Sequence, residues 1–391
     1  VLKRQLKKWG LALVILFAVL EISGLKYRLF EKDYSSQFDY PMFGDITRQV
    51  DDILLSLTGS EGGDKLNVMN APYKNVQEDR KFTALMDPEK CSVSDSENTP
   101  QRIRVVYVVK SAPDHFDRRD AIRKTWGYEK RFSDVPIRTV FLIGQTDSRN
   151  IQDRLNDEHV KNGGDLVQGD FYDSYYNNTL KTLMGLKWAA KVCPEARFYA
   201  FVDDDYYVST RNLLRFLRNP VNYPRYLQDP TIDFDDVLNQ NKAFNQRQGR
   251  QLKQMIEFDL PEDALLYAGF VHPSSRPQRH WFGKWSVSMD QYPYHKYPPY
   301  VTAGAYVLSS EALKKFYYGT MFVKPYIFDD VYLGIVAKKL DIEPFHCPQF
   351  WFHRPHPYKV KDFMYTVASH EFSDPSELEK VWHQQKQAGN A

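Results

Sequence analysis

The sequence predicts an α/β fold with a mainly parallel central sheet, placed behind an N-terminal membrane helix and a spacer. Three observations carry this. Short two-sided apolar runs, dense in β-branched and aromatic residues, recur at 103–109, 139–143 and 198–202, as buried parallel strands require. Segments of helical character separate them, the alternation expected of crossover connections. One longer apolar run, from Trp9 to Leu25, stands apart from all of these.

That run would span roughly 25 Å as a helix, enough for a thin bilayer. Lys3, Arg4, Lys7 and Lys8 precede it and favour a cytoplasmic N-terminus, although Lys26 and Arg28 reduce the asymmetry. A cleaved signal peptide with its apolar part at Leu11 to Leu20 is the alternative, but no small-x-small site follows. The expectation is a type II anchor, with tail 1–8, span 9–25 and stem 26–100. The stem is polar and aperiodic, with Gly-Ser-Glu-Gly-Gly at 59–63, and reads as a flexible spacer contributing no site residue.

The folded unit occupies 101–391. Its first strand runs Ile103 to Val109, followed by a helix over Asp117 to Trp126 that ends near Gly127. A second strand, Thr139 to Ile143, stops at Gly144. An exposed helix at Asn150 to His159 and a short strand at Asp165 to Gly169 come next. Leu180, Leu183, Met184, Trp188 and Val192 recur at three- and four-residue spacing, which predicts a helix over 178–192. Phe198 to Val202 completes the pattern. Residues 225–261, rich in Asn, Gln and Lys from Asn239 to Gln254, read as a surface insertion.

Lys+Arg 52 against Asp+Glu 50 leaves a net charge of +2, which argues against a nucleic-acid partner. The Tyr 26 and Phe 25 suit a large core, and aromatic faces also pack on the C–H side of sugars. Cys91, Cys193 and Cys347 are too few for a disulfide scaffold; one pair can close, and the sequence leaves all three pairings open. Asn177-Asn178-Thr179 is the chain's N-glycosylation sequon.

The most informative residues are Asp203-Asp204-Asp205, directly after an apolar strand. Ligands of open α/β sheets bind beyond the carboxyl ends of strands, and hard oxygen donors there suit Mg²⁺ or Mn²⁺ with a diphosphate. A solvated turn is the plain alternative. A second acidic pair, Asp329-Asp330, lies between apolar neighbours at a helix start. It can supply a general base or merely cap the helix. His346, His353, His356 and His370 could each complete a metal shell, and spacing does not choose among them. His370 stands just before Asp374-Pro375-Ser376-Glu377, a strong helix start that holds the chain rigid nearby.

These residues fall into ordered motifs. The stretches Arg118 to Gly127 (RRDAIRKTWG), Asn177 to Thr182 (NNTLKT) and Phe201 to Asp205 (FVDDD) resemble the inverting β1,3-glycosyltransferases that include the Fringe proteins. So do Tyr297 to Gly304 (YPPYVTAG), like that family's acceptor-side loop, and Asp329 to Gly334 (DDVYLG), like its catalytic motif. Trp126 to Glu129, Phe201 to Ser209 and Val367 to Phe372 resemble its N-acetylglucosaminyltransferase members more closely. The resemblance covers about 103–391; the 225–261 stretch is longer than the family leads one to expect, and the stem is not shared.

The resemblance implies a GT-A fold, a UDP-sugar donor, Mn²⁺ (or Mg²⁺) and inversion at the anomeric carbon. It implies Asp205 and His370 as metal ligands, Asp203 and Asp204 as ribose and sugar contacts, and Arg123 and Lys181 near the nucleotide. Asp330 becomes the base. Trp285, Tyr297, Tyr300, Gly304 and Asp329 become the acceptor side. UDP-N-acetylglucosamine is the implied donor and a glycolipid or glycan the implied acceptor, in a Golgi membrane with the catalytic domain lumenal. UDP-galactose is the alternative donor. A non-catalytic lectin-like or chaperone relative would be expected to lack Asp205, Asp330 or His370, and all three are present.

Overall fold

The computed structural model describes residues 2–40, 46–58, 84–86, 88, 91, 93–94, 100–132, 134–228, 260–280 and 282–391. The N-terminal part carries α1 (Leu2–Ile22), α2 (Tyr34–Gln37), α3 (Ile46–Thr58), β1 (Ala84–Met86), β2 (Val93–Ser94) and β3 (Pro100–Gln101). The first half of the catalytic unit follows as β4 (Val105–Lys110), α4 (Phe116–Lys124), β5 (Ile137–Gln145) and α5 (Arg149–Lys161). Then come β6 (Leu166–Tyr172), α6 (Asn178–Val192), β7 (Phe198–Asp203), β8 (Tyr207–Val208), α7 (Thr210–Arg218) and α8 (Arg225–Gln228). The second half is β9 (Tyr267–His272), β10 (Tyr300–Ser309), α9 (Ser310–Thr320) and α10 (Asp329–Lys339). It closes with β11 (Phe345–His346), β12 (Phe350–Trp351), β13 (Ala368–Ser369) and α11 (Pro375–Gln387).

The main sheet has the order β1-β6-β5-β4-β7-β10-β9-β11. From β6 to β7 every pairing is parallel, as the apolar runs predict. β10 then runs antiparallel to both β7 and β9, so the sheet is mixed beyond that block. The sequence reading missed β10 because its Thr302 and Gly304 look like a loop. The ring of Tyr206 lies where a Cβ on Gly304 would stand, so only glycine fits that position.

Strand β4 shows why two helical layers form. Val106 and Val108 enter one apolar cluster with residues of α3, α6, α9 and α10. Val105, Tyr107 and Val109 enter another with α4, α7 and α11. Side chains alternate across a strand, so a run apolar on both faces needs helices on both. Ser148, Ser209, Ser309 and Asp374 cap α5, α7, α9 and α11, each side chain accepting a backbone N–H of the first turn.

The N-terminal part departs from expectation in its stem. Helix α1 ends at Ile22, with Glu21 inside it, and among the described residues no helix is long and apolar enough to cross a membrane. Apart from Leu20, its large apolar side chains from Trp9 to Ile22 are exposed. The stem is not a free spacer where it is described. Tyr40, Ile46, Val50 and Ile53 are buried in the main cluster, and β1 pairs with β6. The 4,3 spacing of Ile46, Val50 and Ile53 is a helical stripe that the polar composition around it concealed. Gly-Ser-Glu-Gly-Gly at 59–63 and residues 229–259 of the expected insertion lie outside the described residues.

Cys91 and Cys193 form a disulfide, with Cα atoms 5.0 Å apart, and Cys347 is free and buried. The bridge fastens the segment before β4 to the end of α6. Closing a loop of 102 residues contributes about 4–5 kcal/mol in a chain-entropy account.

Candidate active site

In the parallel register of β4 and β7, Lys110 stands opposite Asp203, the last residues of neighbouring strands. The site grows from this pair. Lys110 Nζ is 3.0 Å from Asp203 Oδ1 and 2.9 Å from Asp329 Oδ2, at the start of α10. One buried ammonium therefore joins the two acidic motifs. Thr182 of α6 donates a hydrogen bond of 2.8 Å to the same Asp329 oxygen. Burial pushes the Asp329 carboxyl up, but Lys110 and Thr182 outweigh it and hold the group below the ordinary carboxylate range.

Asp330 is set differently. Burial and the negative charge of Asp329 push its carboxyl up to about 7, against a hydrogen bond of 2.7 Å from the N–H of Val331. A carboxylate that takes up a proton near neutral pH suits a general base. Asp329 is a correction to the acceptor-side expectation: it is buried and its partners are Lys110 and Thr182, so it acts on Asp330 through charge.

The triplet splits three ways. Asp203 is raised to about 6, chiefly by burial, against the pull of Lys110. Asp204 turns towards α4, accepting from Ser111 Oγ at 2.7 Å and Arg118 Nη1 at 2.8 Å and lying 2.8 Å from His115 Nδ1. These partners outweigh burial and hold it below the usual range. Asp204 thus ties the strand end to α4, and this corrects its expected role as a direct sugar contact.

Asp205 faces His370, whose Nε2 lies 3.3 Å from Asp205 Oδ2. A three-stranded sheet, β12-β13-β8, makes the meeting. Ser369 pairs with Tyr207, and the Phe372 amide donates to the Asp205 carbonyl at 2.8 Å. Residues 165 apart in sequence are thereby fixed side by side. The Tyr206 ring stacks on His370 at 4.9 Å. Glu371 has φ 70, left-handed backbone that is uncommon for a side chain of its size. It holds its carboxylate against His353 and His356, so these two histidines are engaged away from Asp205. His346 accepts the Val271 amide in β9.

Arg123 and Lys181 are both engaged by protein partners. The Arg123 guanidinium pairs with Asp165 and Glu158, both at 2.7 Å, over the Phe141 ring. It braces α4 against the sheet and has no contact with the triplet; its neighbour Arg118 makes that contact. Lys181 is buried, donating to the Ser111 carbonyl and to Asp173, and so shapes the loop after β4. On the acceptor side Trp285 is exposed, and its Nε1 donates to Tyr175 Oη at 2.8 Å. Asp330 and Asp329 both act on the Tyr175 hydroxyl, which sets this aromatic pair within reach of their charge. Tyr300 is half-buried and feels the charge of Asp330. Tyr297 is buried with its hydroxyl on Tyr326, so it backs the wall instead of lining it.

The family description "Galactosyltransferase" matches residues 117–231 and 232–348. A Drosophila melanogaster protein named Beta-1,3-galactosyltransferase brn is 38% identical over 390 residues, 99% of this chain and 98% of its own length. The chain belongs to the galactosyltransferase family. It is a β1,3-glycosyltransferase. Human Beta-1,3-galactosyltransferase 1 is 27% identical over 297 residues, 76% of each chain. Among solved structures, a glycosyltransferase involved in the glycosylation of the major capsid of PBCV-1 matches over 72% of this chain and 98% of its own, at TM-score 0.34 and 11% identity. The galactosyltransferase LgtC covers 73% and 100%, at 0.33 and 10%. Both are distant likenesses.

For this transferase the question of a metal turns on Asp205 and His370. Asp205 Oδ1 and His370 Nδ1 are buried without a hydrogen-bond partner. Among the described residues no group of three His, Cys, Asp or Glu side chains forms a complete cage. Asp205 Oδ2 and His370 Nε2, 3.3 Å apart, are a carboxylate oxygen and an imidazole nitrogen, donor types that fit a divalent cation completing its shell with a substrate diphosphate and water. Sequence reasoning missed Lys110, Arg118 and Tyr175. A lysine ending an apolar strand beside the acidic strand end was the available signal for Lys110. Nothing local marked Tyr175.

Proposed function

We propose that this β1,3-glycosyltransferase is metal-dependent and inverting, of GT-A type, and transfers N-acetylglucosamine from UDP-N-acetylglucosamine to a glycolipid or glycan acceptor. The observation that carries the inverting reading is the Lys110 bridge, which brings a metal-type carboxylate motif and a raised carboxyl to one strand end. Asp205 and His370 would hold Mn²⁺ or Mg²⁺, which when bound neutralises charge on the departing UDP. Asp330 takes the proton of the acceptor 3-hydroxyl as that oxygen bonds to the anomeric carbon. The bond from that carbon to the UDP oxygen breaks on the opposite face, so an α-linked donor gives a β-linked product. Asp329 and Lys110 act on Asp330 only through charge, and Trp285 with Tyr175 offers an aromatic face to the acceptor sugar.

UDP-galactose is the second reading, favoured by the printed names of the relatives. The closer motif resemblance of Trp126 to Glu129 and Val367 to Phe372 favours N-acetylglucosamine. Side-by-side transfer assays with both donors decide between them, and transfer from neither sinks the enzyme reading. The Cys91–Cys193 disulfide supports an oxidising compartment, in keeping with a Golgi lumenal domain. The exposed apolar side chains of α1 support a membrane anchor there.

A further inference from the structure

Between α1 and α3 the chain makes a set of contacts that a spacer has no use for. Gly24 has φ +71 and lies so close to the Arg279 backbone that a Cβ would overlap its carbonyl. Seven residues on, Glu31 accepts from Arg279 Nε at 2.8 Å, with side chains 5% and 2% exposed. Arg279 spends its other donors inside its own segment. Nη1 donates to the Val287 and Ser288 carbonyls and Nη2 to those of Tyr292 and Tyr294, at 2.7–3.1 Å. The guanidinium is thus the hub of the 279–294 loop, and Glu31 neutralises it.

The backbone continues the attachment. The Lys32 amide donates to the Pro293 carbonyl at 2.8 Å, and the His295 amide returns to the Lys32 carbonyl at 3.1 Å. The Tyr34 amide donates to His295 Nδ1 at 3.0 Å, and that of Asp39 to Tyr294 Oη at 2.8 Å. Phe38 packs on Tyr294, and Tyr40 on Tyr292 and Tyr326. Tyr292 in turn meets Tyr297, whose hydroxyl bonds that of Tyr326 at 2.9 Å. Tyr326 stands three residues before Asp329. The same loop carries Trp285 on its outer side.

We propose that residues 24–40 are a positioning strap for the acceptor side, setting the loop from Arg279 to Tyr300 and the turn that delivers Asp330. This rests on the reading of Trp285, Tyr300 and Asp330 as the acceptor side. The strap touches no reacting atom. Its contacts reach the loop, Pro325 and Tyr326, and Lys339 at the end of α10, while Asp205 and His370 are held separately by the β12-β13-β8 sheet. Acceptor binding should therefore depend on the strap, and metal-dependent UDP binding should not.

The test uses the full chain in detergent, with Glu31→Gln, Glu31→Asp and the milder Phe38→Ala. Glu31→Gln and Phe38→Ala should raise the acceptor KM about tenfold or more, since small misplacements cost that much. Affinity for UDP with Mn²⁺, measured by calorimetry, should stay within about twofold. Glu31→Asp, which keeps the charge, should lie nearer the wild type. Hydrogen exchange should quicken at the amides of Val287, Tyr292 and Tyr294 to Tyr297 in Glu31→Gln and stay slow at Val106 to Val109. An unchanged acceptor KM, or a parallel fall in UDP affinity, overturns the strap. If the wild type transfers no sugar, the enzyme reading fails by itself, and unchanged exchange at 287–297 still overturns the strap.

Discussion

Replacing Asp330 by Asn separates catalysis from folding more cleanly than any other change in this site. The side-chain oxygen of Asn can keep the bond from the Val331 amide. What disappears is a carboxylate able to hold the acceptor proton, and loss of a general base costs roughly two to four orders of magnitude in transfer. UDP binding with Mn²⁺ should be unchanged, because Asp205 and His370 are untouched. Stability should move the opposite way. The folded carboxyl sits at about 7 against 3.8 for the free group, so its ionisation opposes folding. That difference of about 3 units corresponds to at most about 4 kcal/mol at full ionisation, and solvent at the half-exposed group reduces it. Wild-type stability therefore falls as pH rises from about 4 through about 7 on account of this group, and Asp330→Asn removes that loss. The variant should melt above wild type at pH 8 and level with it near pH 4. Wild-type transfer should rise with pH through about 7, the limb set by Asp330 among Asp329, Lys110 and Asp203. Calorimetry, thermal melts and a transfer assay over pH 5–9 read all of this. Substantial transfer by Asp330→Asn, or a pH limb that survives the substitution, would refute the assignment.

Further outcomes follow from the same contacts. Asp205→Asn should weaken both transfer and Mn²⁺-dependent UDP binding, whereas metal-free UDP binding should change little; equal UDP affinity with Mn²⁺ would remove it from the metal site. Lys110→Met leaves the buried Asp329 carboxylate without its cation and takes the same partner from the partly exposed Asp203, and loss of one partner from a buried pair costs about 3–5 kcal/mol. A clear drop in thermal midpoint at pH 8 is expected, smaller at pH 4, and an unchanged midpoint counts against the bridge. Asn177 is half-buried and its Nδ2 donates to the Tyr172 carbonyl at 2.7 Å, one hydrogen of two. It is expected to carry a glycan in secretory-pathway material, and unchanged gel mobility after glycosidase treatment would speak against that.

The sequence by itself determined the parallel block, because apolar runs such as Phe198 to Val202 are tied to one environment, a strand buried on both faces. It also determined helix 178–192 to the residue, because period and composition agree there. It marked Asp203 to Asp205 and Asp329-Asp330 as candidates, since carboxylates next to apolar segments require a reason. Which acid does what was decided only in three dimensions. Asp203, Asp204 and Asp205 are neighbours in sequence, yet one meets Lys110, one meets Arg118, and one meets His370. Asp329 and Asp330 diverge in the same way, because charge and burial depend on residues brought from β4 and α6. The docking of residues 24–40 was equally illegible. Its bonds are largely backbone to backbone or to a single buried arginine, and such contacts leave no periodic mark on a polar segment.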